Sequence, residues 1–428
     1  MSTGKFICYD EFKIVKGIIL SAKEDTKEIK QLAESLGYKI VREFVQKRDK
    51  TTPYYLGKGK IEEVKNFIEE NVVDVIIVND SLRPSQWYNL EKLLNTPVYD
   101  RIRIILEIFA DRAKKKEAKL QVKLAKLRYE KPFVRELFHK VKKGEKAGFL
   151  GGGEYVVADY YEMIKRQMRK IKEELKKIAK ERDIKRAERK ERGFYIVSIA
   201  GYTNAGKSCL LNYLTGEKVV VEERVFSTLS PKVSRYKKKG VVPLLFTDTV
   251  GFIKDLPHWL IDAFHSTLEE IALADLVIVL IDASDSIEEM KEKALTSIKE
   301  IKSLKENSRI IVALNKIDLV AEEELKEKLK IMEDFLERKC IPISAKTGKN
   351  IDLLLEEIYN NLPKPASLEI TLPNYEDSFI SWLHENAEIS HYHFNGVVKI
   401  RLKCSERVRD RIIGKCRKLG GEVKIYGD

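Results

Sequence analysis

Apolar residues fall along this chain in two rhythms, short unbroken runs and longer stretches with helical spacing, and their alternation predicts the architecture. Over the first hundred residues the two take turns: Lys16-Gly-Ile-Ile-Leu-Ser21, a helix ending at Leu36, Tyr38-Lys-Ile-Val-Arg-Glu43, a helix from Lys60, then Val72-Val-Asp-Val-Ile-Ile-Val78. Strand-like runs separated by helices predict a small parallel α/β domain. The rhythm then changes. Leu106, Ala113, Leu120 and Leu127 repeat at seven, while Ile164, Met168, Ile171, Leu175 and Ile178 step by four and three. Two heptad seams predict a long antiparallel helical hairpin, joined by a loop over residues 131–153. At 1.5 Å per residue, about 30 residues from Ala158 would extend roughly 45 Å.

From Gly193 to Pro363 apolar runs return: Tyr195-Ile-Val-Ser-Ile-Ala200, Pro243-Leu-Leu-Phe-Thr, Arg309-Ile-Ile-Val-Ala-Leu and a fourth ending near Ile341. After Pro363-Lys-Pro365, the strands Gly396-Val-Val-Lys-Ile-Arg401 and Glu422-Val-Lys-Ile-Tyr426 flank a helix from Glu406, predicting a small α+β domain. The expected domains are therefore 1–105, 106–192, 193–363 and 366–428, within the two to four that a length of 428 suggests.

Charge sharpens this division. The chain carries +13 overall, yet residues 112–192 alone hold 28 Lys plus Arg against 13 Asp plus Glu. The hairpin thus accounts for the whole surplus, and such a concentration points to nucleic acid. Its joining loop offers Lys140, Lys142, Lys143 and Lys146, followed by Gly148, Gly151, Gly152 and Gly153, a composition suited to folded RNA. A smaller surplus, nine basic against four acidic, follows Arg401. Five cysteines without Cys-x-x-Cys spacing argue against a disulfide or zinc framework. Trp382, His384, His391, Tyr392 and His393 match no defensible metal spacing. No cationic-then-apolar leader and no membrane-length apolar run is present, so a soluble, cytoplasmic chain is expected, as a monomer.

The chemistry sits where strands end. Gly201-Tyr202-Thr203-Asn204-Ala205-Gly206-Lys207-Ser208 follows a strand and precedes the helix-like Cys209-Leu-Leu-Asn-Tyr-Leu214. This is the context of a phosphate-binding loop: backbone N–H groups turn onto the phosphates, Lys207 reaches the β/γ-phosphates and the Ser208 hydroxyl ligates Mg²⁺. Asp248-Thr-Val-Gly251 closes the next strand, offering a carboxylate for the Mg²⁺ shell and an N–H for the γ-phosphate. Asn315-Lys316-Ile-Asp318 closes another. A carboxylate can accept guanine N1–H and N2–H₂ together, so Asp318 selects guanine, and Asn315 would tie that loop to the phosphate loop. Ser344-Ala345-Lys346 could supply N–H groups to guanine O6. Between the first two motifs, Ser227, Thr228 and Ser230 are hydroxyls able to complete the Mg²⁺ shell.

Phe252 follows Gly251 where many GTPases carry a water-positioning Gln, which predicts slow intrinsic turnover stimulated by a partner. Asn204 could coordinate K⁺ beside the phosphates, or simply bond its own backbone as a loop amide. Gly57-Lys58-Gly59-Lys60 is a short match to a phosphate site and reads more simply as a strand-to-helix turn.

The order of parts resembles the HflX family of translation-factor-related GTPases. The residues carrying the resemblance are Tyr55-Leu-Gly-Lys-Gly-Lys-Ile-Glu-Glu63, Pro84-Ser-Gln86, Asp100-Arg101, Ile108-Phe-Ala-Asp-Arg112 and Glu117-Ala-Lys-Leu-Gln-Val122, with the loop from Gly201 to Ser208, Asp248 to Phe252, and Leu256-Pro-His258. It implies binding of GTP and GDP, Mg²⁺, association with rRNA of the large ribosomal subunit, and splitting or rescue of stalled ribosomes by the arm's tip near the peptidyl transferase centre. It also implies Thr228 as the switch hydroxyl, a hydrophobic residue at Phe252, and, in some members, ATP binding by the N-terminal domain. Two departures stand out: Gly151-Gly-Gly-Glu154-Tyr-Val where the family commonly has Gly-Pro-Gly-Glu-Thr-Gln, and Cys209 in place of Thr or Ser. The residues alone also allow a GTPase acting on precursor RNA, or a GTP-regulated scaffold whose coiled coil binds protein.

Overall fold

The computed structural model describes residues 15–47, 53–142, 153–191, 194–216, 226, 232–238, 242–254, 257, 259–260, 265–394 and 396–426. The chain forms two compact units, Met1–Lys176 and Lys177–Asp428.

In the first unit, β1 (Lys16–Ser21), α1 (Lys27–Ser35), β2 (Lys39–Val45), α2 (Lys58–Glu70), β3 (Val75–Val78), α3 (Pro84–Leu94) and β4 (Val98–Asp100) alternate as their apolar spacing predicts. The four strands are all parallel, in the order β2-β1-β3-β4. Ile18 and Leu20 of β1 and Ile76 and Val78 of β3 pack with Ile61, Val64 and Leu90 from the helices. Gly57 caps α2, and its N–H donates to Gln46 Oε1 at 2.8 Å.

The seven-residue spacing from Leu106 to Ala113 does not belong to the hairpin. The Asp100 carboxylate caps α4 (Arg101–Arg112) by accepting from the Arg103 N–H, and Leu106 is buried in that helix. Ala113 leaves helical geometry, at φ −71° and ψ 97°. The hairpin consists of α5 (Lys116–Lys142) and α6 (Gly153–Glu191), and the boundary expected at 105/106 falls inside α4. Leu124, Leu127 and Val134 meet Ile164 and Ile171, flanked by Leu120, Met168 and Leu175. The joining loop is also shorter than expected. Helix α5 runs through Pro132, which forfeits one backbone donor without ending it, so Lys140 and Lys142 lie in its last turn. Lys143 and Lys146 lie outside the described residues, as does Cys8.

The second unit opens with β5 (Tyr195–Gly201), α7 (Lys207–Thr215), β6 (Lys232–Tyr236), β7 (Leu244–Asp248), α8 (His265–Leu273), β8 (Leu276–Asp282), α9 (Ile287–Leu304), β9 (Ile310–Asn315), α10 (Glu322–Leu336), β10 (Cys340–Pro342) and α11 (Ile351–Asn361). The six strands lie in the order β10-β9-β8-β5-β7-β6, parallel except for β6. The carboxyl ends of β5, β7, β8 and β9 therefore open on one edge, where ligands of such sheets bind.

A four-stranded antiparallel sheet follows, from β11 (Ala366–Leu372), α12 (Asp377–Asn386), β12 (Glu388–Phe394), β13 (Val398–Cys404), α13 (Glu406–Lys418) and β14 (Glu422–Tyr426), in the order β12-β13-β11-β14. The expected α+β domain is larger than the two strands and one helix read from the sequence. Alternate residues of β11 and β13 are buried beneath both helices, on Phe379, Leu383, Val408 and Ile412. This domain is bonded to the preceding sheet. Arg407 pairs with Asp275, Arg235 donates to the Glu385 carbonyl, and Lys237 Nζ donates to the His384 carbonyl at 3.1 Å. Among the described residues no helix is long and apolar enough to cross a membrane.

Candidate functional site: a phosphate loop and base slot at one sheet edge

Strand β5 runs so close to β8 that a Cβ on Gly201 would sit 2.4 Å from the Leu280 carbonyl oxygen, and its φ is +144°. The chain then turns through Asn204 at φ 63° and Gly206 at φ 91° into α7, whose first residue is Lys207. Asparagine and glycine are the residue types that occupy this left-handed region most readily. Lys207 is 7% exposed, and its Nζ donates to the carbonyls of Tyr202 at 2.7 Å and Gly201 at 3.2 Å. The ammonium is thereby held across the mouth of the loop.

Burial pushes the Lys207 ammonium down to about 8, while Asp248 works in the opposite direction. A protonated lysine attracts phosphate, and bound phosphate raises its pKa, so binding takes up a proton once the pH exceeds about 8. GDP affinity is therefore expected to be about twofold weaker at pH 8 than at pH 7 and about tenfold weaker at pH 9. Titration of GDP at these pH values checks this, since its phosphates are already ionised there; a flat profile would contradict it. For folding the sign is opposite. The folded chain holds fewer protons than the unfolded one between about 8 and the ordinary lysine value, so the penalty of burying Lys207 is relieved as pH rises through that window.

Ser208 Oγ donates to Asp248 Oδ2 at 2.7 Å, bringing together a hydroxyl and a carboxylate from α7 and β7. Gly251 packs against the loop so closely that a Cβ would meet Lys207 Nζ and Thr203 Cα, each at 2.9 Å. The next residue fastens the two segments, for Phe252 N–H donates to the Gly201 carbonyl at 3.0 Å and Thr203 N–H donates to the Phe252 carbonyl at 2.9 Å. Tyr202 adds a third tie, its hydroxyl accepting from the Lys254 N–H at 2.6 Å. The Phe252 side chain is buried.

The Asn315-Lys316-Ile-Asp318 segment approaches from the other side. Asn315 Nδ2 donates to the Ala205 carbonyl at 2.8 Å, and its Oδ1 accepts from the Ala345 N–H at 2.9 Å. One buried amide thus joins the phosphate loop to the Ser344-Ala345-Lys346 segment. Asp318, exposed, accepts from Ser344 Oγ at 2.6 Å, and Lys346 is likewise exposed. Cys209 is half-buried, and burial raises its thiol pKa. Thr228, Ser227 and Ser230 lie outside the described residues.

Three contributors were not singled out from the sequence. Strand β8 is a seven-residue run, Leu276–Asp282, as apolar as its neighbours, and the missing motif at its end hid its importance. Its terminal Asp282 pairs with Lys316, which sits at φ 66°. Gly348 lies over Tyr213, where a Cβ would fall 2.0 Å from the hydroxyl oxygen, so α7 props the Ser344 loop. The run Thr-Gly-Lys after Lys346 was the available turn signal.

Residues 23–110 match the family model described as GTP-binding GTPase N-terminal, 112–189 the GTP-binding GTPase middle region, and 196–316 the 50S ribosome-binding GTPase. The GTPase HflX of Thermococcus kodakarensis is 36% identical over 422 residues, covering 95% of this chain and 94% of that protein. The GTPase HflX of Methanocaldococcus jannaschii is 41% identical over 372 residues, covering 86% and 89%. Among solved structures, a GTP-binding protein of Sulfolobus solfataricus in complex with GDP aligns over 81% of this chain and 98% of its own, at 28% identity and a TM-score of 0.45. On the extent and level of these sequence matches, the chain belongs to the HflX family of GTPases.

Proposed function

We propose that this GTPase docks on the large ribosomal subunit in its GTP form, with the basic hairpin against rRNA, and leaves after hydrolysis, serving subunit dissociation or rescue. The observation carrying this reading is the pairing of a phosphate-loop domain that matches a 50S ribosome-binding GTPase with an arm holding 28 basic against 13 acidic residues.

Residues Gly201 to Cys209 and Gly251 would cradle the phosphates. Asn315, Lys316, Asp318, Ser344, Ala345 and Lys346 would form the guanine slot. Ser208 and Asp248 are hard oxygen donors within hydrogen-bond reach of each other, so they fit Mg²⁺, with Thr228 as a further donor. The ion would neutralise charge developing on the β- and γ-phosphates. Lys207, held by two loop carbonyls, would keep its third donor for a phosphate oxygen. Phe252 supplies no group to orient water, so that task falls to backbone, to K⁺ beside Asn204, or to the partner.

GTP turnover of the purified protein, with and without 50S subunits and in K⁺ or Na⁺, tests this. Stimulation on the order of a hundredfold or more by the large subunit is expected, as partner-completed GTPase sites typically gain at least that. Fast turnover of the protein alone, or indifference to the subunit, would contradict the reading, and loss of the rate in Na⁺ would assign the K⁺ role.

A further inference from the structure

Ser198 and Thr247 are hydroxyl residues set within apolar strands, facing each other in register between β5 and β7, and both are fully buried. Their side-chain oxygens lie 2.7 Å apart, and Ser198 Oγ donates to the Glu270 carbonyl of α8 at 3.0 Å. A hydroxyl has one proton to give, so Thr247 donates to Ser198 and the two form a directed chain. It starts beside Asp248, the residue after Thr247, and ends on the helix that follows the Asp248-Thr-Val-Gly251 motif in sequence.

The neighbouring residue of α8 carries the connection outward. Glu269 pairs with Arg182 of α6 at 2.8 Å, with the two side chains 25% and 16% exposed. Lys177 and Lys180, the cations before Arg182 on that helix, are exposed. Desolvation offsets most of the attraction in a partly buried pair, so its contribution to stability is small and what it supplies is a fixed register. Arg182 and Glu269 both belong to the second unit, while α6 is one helix from Gly153 and forms the second limb of the basic hairpin.

We propose that Arg182 is a positioning residue for partner-stimulated hydrolysis, fixing α8 to the arm's second helix so that arm docking and a bound γ-phosphate favour the same placement of α8. The inference rests on the ribosome-associated reading above. In GTPases a γ-phosphate orders the segments around the nucleotide, including the one after the Asp-x-x-Gly motif. Here α8 is anchored to β5 through Ser198 and to α6 through Arg182, so an arrangement imposed from either side is felt at the other. Linkage makes the effect reciprocal: the factor by which GTP strengthens docking is the factor by which docking favours GTP over GDP.

The affinity of the full-length protein for purified 50S subunits, measured with GDP and with a non-hydrolysable GTP analogue, tests it. Arg182→Glu and Glu269→Arg, each alone, should reduce the ratio of the two affinities by about fivefold or more, the scale of an ordinary coupling between sites, and reduce subunit stimulation of turnover with it. Both should keep GDP affinity and turnover without subunits within about twofold of the parent. Arg182→Gln, which introduces no repulsion, should lower the ratio in the same direction. The double variant, which restores an opposite pair, should recover most of the lost ratio. Recovery cannot reflect a basic contact with rRNA, because residue 182 is still acidic there. A parental ratio in the single variants, or no recovery in the double, would overturn the inference and leave ribosome docking intact. Equal weakening with GDP and with the analogue would make Arg182 an rRNA contact and would overturn it as well. A parent protein that fails to bind the subunit in either state would overturn both readings.

Discussion

Asp318→Asn is expected to lower GTP affinity by about a hundred- to a thousandfold and to create affinity for XTP. A carboxylate accepts from guanine N1–H and N2–H₂ at once; two charge-assisted bonds of about 1.5–3 kcal/mol each are worth about 3–6 kcal/mol, and the N1–H bond that the amide keeps holds the loss to the lower part of that span. The asparagine amide can accept from N1–H, but its NH₂ then faces the guanine NH₂, donor against donor. Xanthine places a carbonyl there, so the same amide satisfies both positions. The fold should survive, because Asp318 is exposed and its bond from Ser344 Oγ can pass to the amide oxygen. Titration of both nucleotides, with thermal unfolding as a control, decides it. Equal loss for GTP and XTP would show that Asp318 shapes the loop without reading the base.

Gly201→Ala should have the largest effect on stability, about 3 kcal/mol or more. At φ +144° a side chain is strained before any contact is considered, and the atom it meets at 2.4 Å is a backbone carbonyl in the sheet's centre, which cannot rotate away. Gly206→Ala should differ in kind. There a Cβ would lie 2.3 Å from Asn315 Nδ2, the amide holding the phosphate loop to the base slot, so nucleotide affinity should collapse while the sheet persists. Urea unfolding with and without GDP separates the two cases. A Gly201→Ala protein as stable as the parent would show that β5 and β8 can part at little cost.

How much of this could be read beforehand differed by region. Where a strand ends in a motif, as at Gly201, Asp248 and Asn315, pattern and chemistry agree, and the sequence located both element and edge. The Ser344 loop was also placed, although its prop, Gly348 over Tyr213, depends on a contact between distant segments that no local spacing encodes. Leu106 to Ala113 kept the rhythm of the hairpin yet belongs to a capped helix before it, because a seven-residue repeat does not reveal where the backbone turns. The loop expected over 131–153 erred in the opposite sense, for α5 runs on through Pro132. Losing one donor costs less than ending a helix whose apolar face continues to Val134. In the carboxyl-terminal domain, β11 alternates strictly from the residue after Pro365, a pattern that the two strands and one helix expected from the sequence do not include.

Strand β6 joins two places that the sequence gives no cause to connect. At one end Lys232 is in register with Asp248, the carboxylate beside Ser208; at the other, Arg235 and the following Lys237 grip the last carbonyls of α12. Four residue steps separate Lys232 from Tyr236, roughly 14 Å of extended backbone. A paired strand neither stretches nor slips by one residue without reversing the faces of all its side chains. It therefore behaves as a short connecting rod, with one bearing at the phosphate edge and the other on the carboxyl-terminal domain. A shift of β6 along its own length would move both bearings together.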